Sequence, residues 1–306
     1  MAVEAKSILS ITTGFLLDQV QTGRQPMDLT DALIVTTVTQ ANVEALMRNS
    51  ALQAAYATYR AVPPDELRRP IRINALAQSL RLPFETVRRR VNRLALLGVC
   101  RNSPDGLVVP ARRLALPGHR ETLEAAYRKL SELHTILAEW GVLPELTAPP
   151  LAEPLPLRAA ARLSSEYLLR IVALATEAVG DAVDAAIWLE VFRSNTEHDH
   201  RAACSGAEAD RKPVTAALVA RRLGISAETV RRRLHGLIAR GSCAWACGGA
   251  VVPDAALERP AVVHLADRNL DNLKRLYTRL AALTVPVACA DVSPLGRATP
   301  PIRGTL

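Results

Sequence analysis

"FETVRRRVNRLALLG" at 84–98 returns as "AETVRRRLHGLIARG" at 227–241, with the hexapeptide ETVRRR identical in both. Val87, Val91 and Leu94 fall at i, i+4 and i+7, and Val230, Leu234 and Leu237 repeat the spacing. That period draws one apolar stripe along a helix. Gly98 and Gly241 follow where a helix commonly ends in a left-handed residue. Upstream of each stretch stands a shorter helical pattern, "INALAQSL" or "TAALVARRL", and then a turn, "RLP" or "GIS". Ser226 suits an N-cap and Pro83 suits a first helical turn. Downstream, "VCRNSPDGLVVP" and "SCAWACGGAVVP" set short β-prone runs around PDG and GG, the chemistry of a hairpin turn.

The repetition is wider than one helix. At a constant offset of 143, residues 70–110 and 213–253 agree at 16 of 41 positions, and each unit closes on VVP. "AAYRKLSEL" (125–133) also resembles "RLYTRLAAL" (275–283), setting Tyr127 opposite Tyr277. A tandem duplication is the reading. The expected organisation is an N-terminal segment 1–27, a first unit 28–140 with core 70–110, a linker 141–161, a second unit 162–285 with core 213–253, and a disordered tail 286–306. Five prolines in 141–160 exclude continuous helix there and favour an extended connection. Residues 194–213 read as a polar loop, and helical Ala-rich sequence precedes each unit over roughly 28–60 and 162–193.

Helix, turn, helix, hairpin is the order of a winged helix-turn-helix. On these residues, above all "VARRLGISAETVRRRLHGLIARG" (219–241), the chain resembles bacterial winged-helix transcriptional regulators such as the MarR and GntR families. The resemblance covers about 41 residues in each copy. It implies a mainly α fold of tandem duplicated winged helix-turn-helix domains, each with flanking long helices and a small β-hairpin wing. It further implies double-stranded DNA as the partner, with RNA polymerase or another regulator as a candidate protein partner.

Bulk properties agree with that class. The chain of 306 residues carries a net charge of +8, and only four of its cations are lysines, so the positive charge is arginine. Such a balance suits a polyanionic partner. No secretory leader is expected, since the start has a weak n-region, polar interruptions and no small-residue cleavage site. No transmembrane run is expected either, since the most apolar long stretch, 167–192, contains Arg170, Glu177, Asp181, Asp184 and Glu190. Five cysteines without a regular framework favour a reducing compartment. The expected location is therefore the cytoplasm, at the nucleoid.

With the valine–leucine stripe inward, a step of about 100° per residue turns Arg89 and Arg93 outward and leaves Arg88 and Arg90 on the flanks. Arg232 is outward in the second copy, with Arg231 and Arg233 beside it. The helix starts (Pro83, Phe84, Thr86; Ser226, Ala227, Thr229) are expected to approach DNA as the resemblance implies. Arg88, Arg89, Arg231 and Arg232 are expected to matter most. Glu85 and Glu228 read as helix-dipole residues rather than base readers. Arg101, with Asn102, is expected to touch phosphate or the minor groove from the first hairpin, whereas the second, with Trp245, is expected to pack on protein. Arg81 replaces Gly224 in the turn, which implies either a different backbone path or a left-handed arginine. The plain alternative for each triplet is a solvated helix face.

Two copies on one chain raise the expectation of a monomer that acts as a pseudo-dimer, with a homodimer as the alternative. "EHDHRAAC" (197–204) offers Glu197, His198, His200 and Cys204, but no second ligand pair follows, so a polar loop is expected and no metal. Cys243 and Cys247 are a weaker redox candidate. No P-loop, dinucleotide fingerprint or nucleophile elbow occurs, so neither a cofactor nor catalysis is expected. Two other functions use similar units, a plasmid-type replication initiator and a protein-interaction scaffold. The scaffold reading does not account for a basic helix kept twice.

Overall fold

The computed structural model describes residues 5–23, 27–116, 118–198 and 211–283. It is mainly helical with two small antiparallel β-hairpins. The first half runs α1 (Ala5–Gly23), α2 (Leu29–Asn42), the short α3 (Glu44–Met47) and α4 (Ser50–Ala55), α5 (Ile73–Leu80) and α6 (Phe84–Leu96). Hairpin β1 (Arg101–Ser103) and β2 (Gly106–Val108), α7 (Ala111–Leu114) and α8 (His119–Glu139) complete it. The second half runs α9 (Leu157–Val179), α10 (Ala182–Thr196), α11 (Ala216–Leu223), α12 (Ala227–Ala239), β3 (Ala244–Ala246), β4 (Gly249–Val251), α13 (Asp254–Leu257) and α14 (Pro260–Ala281). Apart from α3, α4 and a 3-10 turn at Asp65–Leu67, the two orders correspond element by element.

The stripes lie where their spacing puts them. Val87, Val91, Leu94, Val230, Leu234 and Leu237 are fully buried. Arg81 takes the left-handed conformation, φ 50 and ψ 35, beside φ 64 and ψ 36 at Gly224. The two turns thus share one path, and arginine accepts the steric cost of it. In each hairpin a third segment joins by a single bridge, Ile71 to Leu107 and Val214 to Ala250. Gly106 is required here, because a Cβ on it would stand 2.7 Å from the Ile71 carbonyl oxygen.

Residues 5–23 of the N-terminal segment are built into the fold. Helix α1 occupies in the first half the place of α9 in the second, and Ile8, Leu9 and Leu16 on it are buried. Its buried Thr12 hydroxyl donates to the Ile8 carbonyl at 2.8 Å, so that side chain is paired within its own helix, whereas the buried Thr13 hydroxyl has no hydrogen-bond partner among the described residues. The proline-rich linker is docked rather than free. The Tyr127 hydroxyl donates to the Pro150 carbonyl at 2.5 Å, a short turn forms at Glu145–Thr147, and α9 starts at Leu157. Most of the expected polar loop, and the tail from 286, lie outside the described residues.

The halves meet through α1, α2, α8, α9, α10 and α14, and the meeting is reciprocal. Helix α1 packs on α14 as α9 packs on α8, and α1 packs on α10 as α9 packs on α2. Exchanging each helix for its counterpart maps the first member of each pair onto the second, as a twofold relation demands. Buried hydrogen bonds cross this seam, from Asn269 Nδ2 to Thr12 Oγ1 at 3.0 Å and from the Tyr277 hydroxyl to the Leu130 carbonyl at 2.8 Å. One continuous apolar core spans both halves.

Candidate nucleic-acid interface

The outer faces of α6 and α12 carry the repeated arginines, and the structure divides them into two kinds. Arg90 is three-quarters buried. Its Nη1 donates to Asp28 Oδ1 and Oδ2 at 2.9 and 2.7 Å and to Asp31 Oδ1 at 2.8 Å. Arg233 does the same in the second copy, donating to Asp181 Oδ2 at 2.5 Å and Asp184 Oδ1 at 3.1 Å. A second arginine completes each group. Arg93 pairs with Asp31, and Arg240 Nη2 donates to Asp184 Oδ2 at 2.7 Å. Burial and the neighbouring Asp181 raise the Asp184 carboxyl above its ordinary range, while Arg233 and Arg240 pull it back. Arg90, Arg93 and Arg233 were expected to face DNA; the structure engages all three with carboxylates of α2 and α10.

Arg88, Arg89, Arg231 and Arg232 are exposed. Arg88 Nε donates to Glu85 Oε2 at 2.8 Å, and Arg231 pairs with Glu228 at the same i, i+3 spacing. The Arg88 hydrogen bond lowers the Glu85 carboxyl below its ordinary range. Such exposed pairs hold weakly and exchange readily for another anion. Arg89 and Arg232 form no hydrogen bond or ion pair among the described residues.

The helix starts differ in chemistry. The Ser226 hydroxyl accepts from the Thr229 amide at 3.1 Å, a side-chain cap. Pro83 stands at the N-cap itself, not in the first turn, and supplies no such acceptor. Phe84 is 47 % exposed, Thr86 and Thr229 are half-buried, and Ala227 is exposed. In the first hairpin Arg101 is largely free, 3.9 Å from Asp65. In the second, Trp245 remains half-exposed and makes an edge-on contact with the His235 ring, with centroids 6.0 Å apart.

A second repeated device went unread in the sequence. Asn42 Nδ2 donates to the carbonyls of Arg69 (2.7 Å) and Leu107 (3.1 Å), and its Oδ1 accepts from the Val109 amide (2.9 Å). Asn195 repeats all three bonds with Lys212, Ala250 and Val252. Asp28, Asp31 and Asn42 match Asp181, Asp184 and Asn195 at an offset of 153, not 143. A D-x2-D-x10-N pattern was the available signal. Through it, α2 and α10 grip their neighbouring helix at one end and the hairpin at the other.

The remaining candidates gain nothing. His200 and Cys204 lie outside the described residues, and no group of three metal-ligating side chains occurs among the described ones. Cys243 is buried and its thiol pushed up to about 12 by burial, the reverse of an activated thiolate. No helix among the described residues is long and apolar enough to cross a membrane. No family model, curated protein or solved structure matches the chain.

Proposed function

We propose that this protein is a sequence-specific DNA-binding transcriptional regulator, a tandem of two winged-helix units on one chain. One observation carries the reading: both copies use buried aspartates to fix the third arginine of ETVRRR and leave the first two exposed. A solvated face has no need of a fixed orientation, whereas a helix that enters a major groove does. In this reading Arg88, Arg89, Arg231 and Arg232 contact DNA. Pro83, Phe84, Thr86, Ser226, Ala227 and Thr229 line the approach, with the Phe84 ring available to a thymine methyl. Arg90 and Arg233 hold the helices from behind, and Arg93, 55 % exposed beside Asp31, stays available on the outer face. Arg101 adds a phosphate contact from the first wing, and Trp245 gives the second an apolar tip.

The reciprocal seam supports a monomer acting as a pseudo-dimer, so two half-sites about 34 Å apart are expected under one chain. Genome-wide occupancy of the tagged protein, alongside a strain with Arg88, Arg89, Arg231 and Arg232 all changed to Ala, tests the reading. Sharp promoter peaks lost in the variant are the expected result. On the site recovered, the slope of log K against log salt should shrink by about 1 for each arginine that contacts phosphate. Peaks confined to an origin would make it a replication initiator. Absence of variant-sensitive peaks would reduce the arginines to a solvated face.

A further inference from the structure

A cavity of about 270 Å³ opens between α1, α2, α8 and α9. Its walls are mostly apolar, with Val20, Leu33, Leu123 and Leu168 among them. Three arginines also line it: Arg68, Arg158 and Arg162, exposed by only 5, 6 and 8 %. Buried cations are ordinarily matched by carboxylates. Here, among the described residues, Asp65 alone is within ion-pair distance of any of the three, 3.3 Å from Arg68 Nε, and it already accepts from the Ala111 amide. Arg158 and Arg162 rest on the backbone carbonyls of Tyr59, Leu114 and Tyr56. Arg162 Nε and Arg68 Nε and Nη1 are buried with no hydrogen-bond partner. Burial, and the repulsion of each by another of the trio, pushes Arg158 and Arg162 down to about 10. Both lie in the first turns of the 23-residue helix α9, whose positive end adds to the same field.

We propose that this cavity binds a small organic carboxylate with an apolar body, and that its occupancy regulates DNA binding. Planar guanidinium groups with unused N–H donors match a carboxylate, and the apolar walls match the remainder of such a ligand. The route to DNA is short. Val35, Thr36, Thr39 and Gln40 of α2 line the cavity, and the first turn of α2, with its cap, carries Asp28 and Asp31, which hold Arg90 and Arg93 of α6. The corresponding residues of α10 are Trp188, Leu189, Phe192 and Arg193, and the two rings stack in a fully buried position with centroids 5.7 Å apart. The loss of bulk in α2 therefore falls at the cavity.

The regulatory half rests on the DNA-binding reading; the binding half does not. Octanoate and 1-naphthoate serve as probes, with octanol and 1-naphthalenemethanol as uncharged matches, in thermal-shift and calorimetric titrations of the full chain without DNA. The carboxylates should stabilise the protein saturably and the alcohols should not. Arg162→Gln should weaken the carboxylates by about tenfold or more, and Val35→Phe, which fills the cavity without touching a charge, should abolish binding. Three results would overturn the site: no carboxylate binding up to about 10 mM, equal stabilisation by the alcohols, or equal stabilisation by inorganic phosphate. The wild-type titrations decide these even where a variant fails to fold. Carboxylate binding with unchanged affinity for a DNA site that the protein demonstrably binds would overturn regulation alone. Absence of any DNA site would overturn the functional reading and leave the binding result standing.

Discussion

Asp31→Asn isolates the device that orients α6. The Asp31 side chain is 1 % exposed and meets Arg90, itself 23 % exposed, at 2.8 Å. Removing one member of a buried pair costs about 3–5 kcal/mol when the other is stranded. Arg90 is not stranded, because Asp28 still accepts from it at 2.9 and 2.7 Å. The Arg93 pair contributes little, since Arg93 is 55 % exposed and solvent screens it. A carboxylate in the first turn adds about 0.3–1 kcal/mol through the helix dipole. The expected loss is about 2 kcal/mol, well below the full cost of a stranded charge. Urea unfolding measures it, read as a shift of the midpoint at unchanged slope. A double-mutant cycle with Arg90→Ala should return a coupling of about 1–2 kcal/mol. Affinity for the DNA site should also fall, although no proposed contact residue has changed. A loss under about 0.5 kcal/mol, the level of an ordinary surface change, or a coupling near zero, would refute the clamp.

Other perturbations separate further parts of the reasoning. Arg81→Gly should stabilise the fold by about 0.5–1 kcal/mol by relieving the left-handed arginine at φ 50, and Gly224→Ala should cost a similar amount in thermal unfolding; destabilisation by the first or stabilisation by the second would mean that the turns differ. Asn195→Ala should cost about 2–4 kcal/mol by leaving the Val252 amide and the Lys212 carbonyl without their partner, while the Ala250 carbonyl keeps the Val214 amide, and a chemical-denaturation loss below about 1 kcal/mol would show that water replaces it. Glu190 concerns pH. Burial raises its carboxyl above the ordinary range, partly offset by Arg193 and Arg222. A folded value above the unfolded one means that the native state holds more protons, so this contribution is full below the unfolded value and is lost as pH rises through the folded one. From about pH 4.3 upward, the stability of wild type minus that of Glu190→Gln should therefore decline; a rising difference would mean that the two arginines prevail over burial.

The helices that bear the arginines, their turns and both hairpins were legible because each is written in a local period: i, i+4, i+7 for the stripes, and Gly-centred turns for the hairpins. The division of the arginines was not. Arg88 and Arg90 flank the same stripe symmetrically, and nothing within α6 says which flank meets α2. The partner carries that information, in Asp28 and Asp31, 59–62 residues earlier. The first copy has ten more residues between its asparagine and its core unit, 42 to 69 against 195 to 212, so a search at one offset passes over the aspartates and the asparagine. Helix α1 was missed for another reason. Buried on several sides, with Ser10, Thr12 and Thr13 inside, it offers no clean amphipathic stripe.

The two seams that the reciprocal packing creates are equivalent in topology and unequal in chemistry. Between α10 and α1, Ser10 and Thr196 share a hydrogen bond of 2.6 Å, Arg193 pairs with Asp18 at 2.9 Å, and α10 is buried along nearly its whole length. Between α2 and α9, Gln40 stands where Arg193 does, the cavity takes the place of that closure, and three guanidinium groups face it with little to balance them. Arg158 and Arg162 stand on α9 and Arg68 on the segment that follows the Asp65–Leu67 turn, so their mutual repulsion acts between α9 and that segment, and an anion seated among them would relieve it. Helices α2 and α9 both sit on the boundary between halves, with α2 packed on α6 and α9 packed on α10, which in turn packs on α12, so a change in their spacing would be passed to α6 and α12. In the proposed reading of two half-sites by one chain, the spacing of α6 relative to α12 would decide whether both helices engage at once, and simultaneous engagement would govern affinity far more steeply than either contact alone.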